Sequence, residues 1–153
     1  MKRNEKLKWY EAEFESISNE VKESEFLSYL SFLRVRNFKL QNSSPESESR
    51  ITRITKTAFS LAKEDKIKEA IECLIDLDGV RIPIASTILA VKYPDKFAII
   101  DSRVIKKIGK VEWLSEYLKK PEVYEEYLLL LRKMAEEKKM RLRDLERMLF
   151  ESE

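Results

Sequence analysis

Three residues near the middle of the chain have types and spacing that could do chemistry: Gly79, Pro83 and Asp101. They lie in LIDLDGVRIPIASTILAVKYPDKFAIIDSRV, residues 74–104. An apolar helix runs into Asp78-Gly79, turns sharply and restarts at Pro83. A tight turn between two helices leaves backbone N–H groups unpaired where the second helix begins. Those donors and the helix dipole favour a phosphate. Gly79 suits the corner because glycine takes positive φ without strain, and Pro83 falls where the first turn of a helix tolerates it. A corner made of Gly79, Val80, Arg81 and Ile82 would hold one nucleic-acid backbone without reading bases. The same pattern also describes a plain connection between helices that binds nothing. Beyond it, the apolar run Phe97-Ala98-Ile99-Ile100 delivers Asp101 to the start of a third helix, where the side chain can act as an N-cap worth ~1 kcal/mol. Lys106, Lys107 and Lys110 follow, suited to phosphate or to solvent.

The surrounding segments must position that stretch, and they read as amphipathic helices. Residues 4–17 carry Leu7, Tyr10 and Phe14 on one side, and 20–38 carry Val21, Phe26, Leu27, Leu30, Leu33 and Phe38 at helical spacing. The polar run QNSSPESES, 41–49, reads as a mobile surface loop interrupted by Pro45. A helix over about 47–63 follows, with Ile51, Ile54, Ala58, Leu61 and Ala62 on one side. Its flank repeats Arg50, Arg53 and Lys56, which is either a solvated face or a stripe turned toward phosphates. Asp65 is placed to cap a helix over 66–76. The helix 83–92 is apolar nearly all round, as helices at a domain's centre are. The run 97–100 is the one candidate strand. Helices are expected at 102–109, 112–119, 121–138 and 141–150, the long one opened by Pro121.

Composition agrees with one all-α domain spanning residues 1–153. Glycine is confined to Gly79 and Gly109, which disfavours a strand-and-turn protein. Net charge is +2, so a nucleic-acid surface would have to be a local basic face rather than bulk charge. Cys73 is the only cysteine and histidine is absent, which argues against a zinc site or a Cys-ligated iron–sulfur cluster; no metal or other cofactor is expected. Cys73 itself reads as a small buried hydrophobe. No apolar run approaches a membrane span and the first residues lack a signal peptide's apolar core, so a cytoplasmic protein without a membrane partner is expected. Abundant Lys and Glu also suit a thermophile's protein.

The central stretch resembles the helix-hairpin-helix motif of the DNA glycosylase superfamily that includes endonuclease III-like and 8-oxoguanine glycosylases. That family writes L-x-G-[VI]-G-x-K-T-A, then an apolar helix, then an apolar run into V-D-x-x-V. Here the corresponding residues are Leu77-Asp78-Gly79-Val80-Arg81-Ile82-Pro83-Ile84-Ala85 and Ile99-Ile100-Asp101-Ser102-Arg103-Val104, and Asp101 follows Gly79 by 22 positions, the family's usual interval. The resemblance covers about 66–110 well and implies a helical bundle centred on a helix-hairpin-helix at about 66–92. It implies DNA as the partner and a role for Asp101 in displacing a damaged base, by stabilising the positive charge that grows on the deoxyribose. Two departures from the motif matter. The second hairpin glycine is Arg81, and the lysine that lyase-type members use as a Schiff-base nucleophile is Pro83. The implied activity is therefore a monofunctional N-glycosylase, a hydrolase without Lys-dependent strand cleavage.

A flipped base needs stacking surfaces; Trp9, Tyr10, Tyr93, Phe97 and Trp113 are the candidates, each equally readable as core. The leading expectation is a DNA-binding protein of the helix-hairpin-helix glycosylase type. A non-enzymatic DNA-binding module and a helical protein-interaction domain are the alternatives.

Overall fold

The computed structural model describes residues 45–77 and 79–151, with side chains from Arg50 onward. The helices expected at 4–17 and 20–38, the aromatics Trp9 and Tyr10, and Asp78 lie outside the described residues. Within them the fold is all-α. The α-helices are α1 (Pro45–Lys63), α2 (Ile67–Ile75), α3 (Ile82–Lys92), α4 (Ser102–Lys107), α5 (Pro121–Lys138) and α6 (Leu142–Glu151), and a 3₁₀ helix, Val111–Ser115, separates α4 from α5. None of these helices is long and apolar enough to cross a membrane.

Helical periodicity sets the packing. α2 buries Ile67, Ala70, Ile71 and Leu74, an i, i+3, i+4, i+7 stripe. It lies between α1 and α5 and also touches the start of α3. α3 buries residues on all sides, including Ile82, Ala85, Ile88, Leu89 and Val91, and so runs through the core. α5 adds Tyr124, Tyr127, Leu128 and Leu131, and α6 closes on it with Leu142 and Leu145. α4 rests on α6 and on the 3₁₀ helix, whose Trp113 is buried.

Several expectations are corrected here. The loop expected at 41–49 is helical from Pro45, because proline serves as a first helical residue as readily as it breaks a helix. Asp65 does not cap α2. Its backbone is left-handed, at φ 61°, and closes α1, with Asp65 N–H donating to Ala62 O and Lys66 N–H to Leu61 O. Its carboxylate instead takes the Arg132 guanidinium at 2.9 and 3.0 Å. The segment 112–119 forms a short 3₁₀ helix and a turn rather than an α-helix. Cys73 is half-buried; burial, aided by nearby Asp76, raises its thiol's pKa.

The run 97–100 forms neither helix nor strand and pairs with no strand among the described residues. Its backbone would be costly to bury unpaired, and side chains from three helices take the place of a sheet. Tyr124 donates its hydroxyl to Ala98 O at 2.8 Å and Tyr127 donates to Ile99 O at 2.9 Å. Ile99 N–H donates to the buried Glu146 carboxylate, which Arg143 also engages at 2.9 Å. Ile100 N–H donates to Ser86 Oγ at 3.1 Å, and just upstream Arg132 Nε donates to Lys96 O at 2.8 Å.

Candidate nucleic-acid interface

The α2–α3 connection is a tight corner. Gly79 has φ 77° and is exposed, a conformation that costs an L-residue about 1–2 kcal/mol. Side chains then alternate: Val80 and Ile82 are buried, at 4% and 0% exposure, while Arg81 faces solvent. Val80 and Ile82 thus anchor the corner in the core, and neither presents a side chain to a ligand. Not every amide is bare, because Val80 N–H donates to Leu77 O at 3.0 Å. Pro83 has no N–H, so Ile82 and Ile84 carry the first-turn amides that lie beyond the reach of a helical acceptor. Arg81 stands where the glycosylase motif has its second glycine. Its φ of −99° and ψ of 173° are ordinary extended backbone, so this corner does not require glycine there. The guanidinium forms no ion pair among the described residues.

Asp101 is the N-cap of α4. Its backbone is extended, and its carboxylate accepts the Arg103 N–H at 2.7 Å. The side chain is only partly buried. Behind it, burial foremost and then the Glu146, Tyr124 and Asp101 charges hold the Tyr127 phenol well above the ordinary tyrosine range; the Asp101 backbone amide partly offsets this. Burial, with Glu146 next, does the same to Tyr124. Both hydroxyls therefore stay protonated as donors to the chain that carries Asp101.

One hydroxyl joins the corner to the acid. Ser86 is fully buried. It donates to Pro83 O in the first turn of α3 at 2.7 Å and accepts Ile100 N–H, one residue before Asp101. The start of α3 and the start of α4 are thereby brought side by side. Sequence reading missed Ser86, because a serine inside an apolar helix gives no signal of what it faces across 14 residues of chain.

The remaining candidates are dispersed. Lys106 is exposed, whereas Lys107 is half-buried with Nζ shielded from solvent. Tyr93 joins Phe59 and Phe97 in one aromatic cluster, with ring centroids 6.3 and 6.2 Å apart. Phe97 is 1% exposed and the Arg132 guanidinium lies 5.4 Å from its ring centroid, so it is a core residue with no open face for a base. Trp113 is 8% exposed, in the 3₁₀ helix beside Lys110. Phe97 and Trp113 are thus buried, and Tyr93 is half-buried against Phe59 and Phe97. Arg50 leaves the basic flank of α1: it binds the Asp76 carboxylate at 2.9 Å and the Asp76 carbonyl at 3.2 Å, covering the C-terminal end of α2.

No family model matches the chain, and no curated protein or solved structure matches it either.

Proposed function

We propose that the chain binds DNA through the α2–α3 corner and is a short, divergent relative of the helix-hairpin-helix DNA glycosylases. Its activity is hydrolysis of an N-glycosidic bond, with Asp101 as the carboxylate that stabilises charge developing on the sugar. The single observation that carries this reading is the Ser86 bridge, which links the first turn of α3, suited to a phosphate, to the stretch of chain that leads into the Asp101 carboxylate held at the start of α4. A nucleotide whose phosphate sits on Arg81 and the Ile84 end of the first turn would have its sugar on the Asp101 side. Pro83 has no amine, so strand cleavage through a Schiff base at that position is not part of the activity. The setting we infer is base-excision repair in the cytoplasm, with lone Cys73 suited to a reducing compartment.

A second reading is a DNA-binding module without catalysis. It is favoured by Phe97, which is buried rather than open to a base. Base release from a panel of damaged duplexes separates the two. The wild type is expected to free at least one class of base, and Asp101→Asn to lower that rate about 100-fold or more, the scale of losing one transition-state charge contact. Equal rates would remove Asp101 from the mechanism. Binding without release of any base would leave the module.

A further inference from the structure

The outer face of α1 carries a charge pattern that the corner does not account for. From Arg50 to Lys63 the sequence RITRITKTAFSLAK has four cations and no Asp or Glu, in a chain with 28 acidic residues. Arg50 is engaged by Asp76, but Arg53, Lys56 and Lys63 are exposed and form no ion pair among the described residues. With Thr57 and Ser60, also exposed, they fall within about 120° of the helix surface and cover about 15 Å of its length. The rest of that surface is buried or half-buried: Ile51, Thr55, Ala58 and Ala62 face the core. By contrast, α5 exposes Glu122, Glu126, Glu136 and Glu137.

The placement of this ridge is fixed at both ends. The Arg50–Asp76 contact sets the beginning of α1 beside the residue that leads into the corner. Near its other end, Phe59 meets Tyr93 and the Lys92 ammonium, which lies 5.5 Å from its ring centroid, at the C-terminal end of α3. The ridge therefore starts next to the corner and runs along α3 in the same direction. Cations and hydroxyls without carboxylates are what a phosphate backbone requires, and 15 Å spans roughly four phosphate steps at 3.4 Å per strand.

We propose that the outer face of α1, through Arg53, Lys56 and Lys63, is a second contact for the nucleic-acid backbone. It extends the footprint of the α2–α3 corner, and so it rests on the DNA-binding reading above. The contact is to phosphate and carries no sequence preference. Fluorescence anisotropy with a short labelled DNA duplex, followed across salt, tests it with Arg53→Gln/Lys56→Gln/Lys63→Gln. Each phosphate contact contributes about 0.9 to the slope of log affinity against log salt. The triple variant should therefore show a slope shallower by about 2–3, and its deficit against wild type should shrink roughly 40-fold between about 50 and 200 mM salt. Lys133→Gln/Lys138→Gln on the exposed face of α5 should leave the slope unchanged.

An unchanged slope in the triple variant, with Gly79→Val still weakening the duplex complex, would overturn the α1 contact and spare the corner. An equal change in the α5 control would overturn it as bulk charge. Wild-type protein that binds phosphatidylserine vesicles but no duplex would overturn both readings.

Discussion

The segment 96–101 and the corner 76–83 sit side by side yet are held in opposite ways. Between Lys96 and Asp101, backbone groups are taken by Arg132, Tyr124, Tyr127, Glu146 and Ser86, all from distant parts of the chain. Between Asp76 and Pro83, the Arg50 contact is the side-chain tie from a distant element among the described residues; the other hydrogen bonds are local, and Leu77, Val80 and Ile82 are buried. The first region uses the rest of the fold to fix one carboxylate. The second leaves the Arg81 guanidinium facing solvent. If the corner grips a nucleic-acid backbone as proposed, an acid held this rigidly would stay in register with one sugar.

Removing the clamp should cost most. Glu146→Ala deletes a carboxylate that is 5% exposed, takes away the acceptor of Ile99 N–H and removes one ion-pair partner of the largely buried Arg143. The expected loss is about 3 kcal/mol or more in urea unfolding. A loss within a few tenths of 1 kcal/mol would show that α6 does not hold the segment.

Tyr127→Phe keeps the ring and removes the donor to Ile99 O, for an expected cost of about 1–3 kcal/mol. It also sharpens the pH dependence. The folded phenols of Tyr124 and Tyr127 titrate above their unfolded value of ~10. Above pH ~10 the unfolded chain sheds protons that the folded chain retains, so the folded state binds more and stability falls as pH rises. Each phenol contributes about 1.4 kcal/mol per pH unit there. The alkaline limb of stability against pH should be less steep in Tyr127→Phe by that amount; identical limbs would contradict the burial argument.

The smallest effect on stability belongs to the corner. Gly79→Val forces a β-branched residue to φ 77° at an exposed position and should cost about 1–2 kcal/mol through the backbone. Its larger consequence should be on binding. A change in stability greater than that of Glu146→Ala would reverse the comparison.

The corner was legible in the sequence because its signals are local: a glycine for positive φ, a proline in the first turn, an Asp at a helix start. The α-helices at Ile82–Lys92 and Pro121–Lys138 were legible for the same reason. The clamp was not. Helical spacing marks Tyr124 and Tyr127 as core, but not as donors to carbonyls 26 and 28 residues away, and Glu146 looks like one more surface acid. Local rules also failed where a distant partner competed. Asp65 gives its carboxylate to Arg132 rather than to the α2 cap, and Arg50 leaves the basic flank for Asp76. The candidate strand at 97–100 joins no sheet among the described residues, since side chains from three helices take its backbone groups.

The most direct test is duplex affinity measured by anisotropy across salt for wild type and Gly79→Val, with folding of both checked by circular dichroism. The account predicts wild-type binding that weakens steeply as salt rises and a Gly79→Val complex at least about ten times weaker at low salt, since the corner positions several phosphate contacts at once. Binding that ignores salt, or equal affinities for two folded proteins, would contradict it.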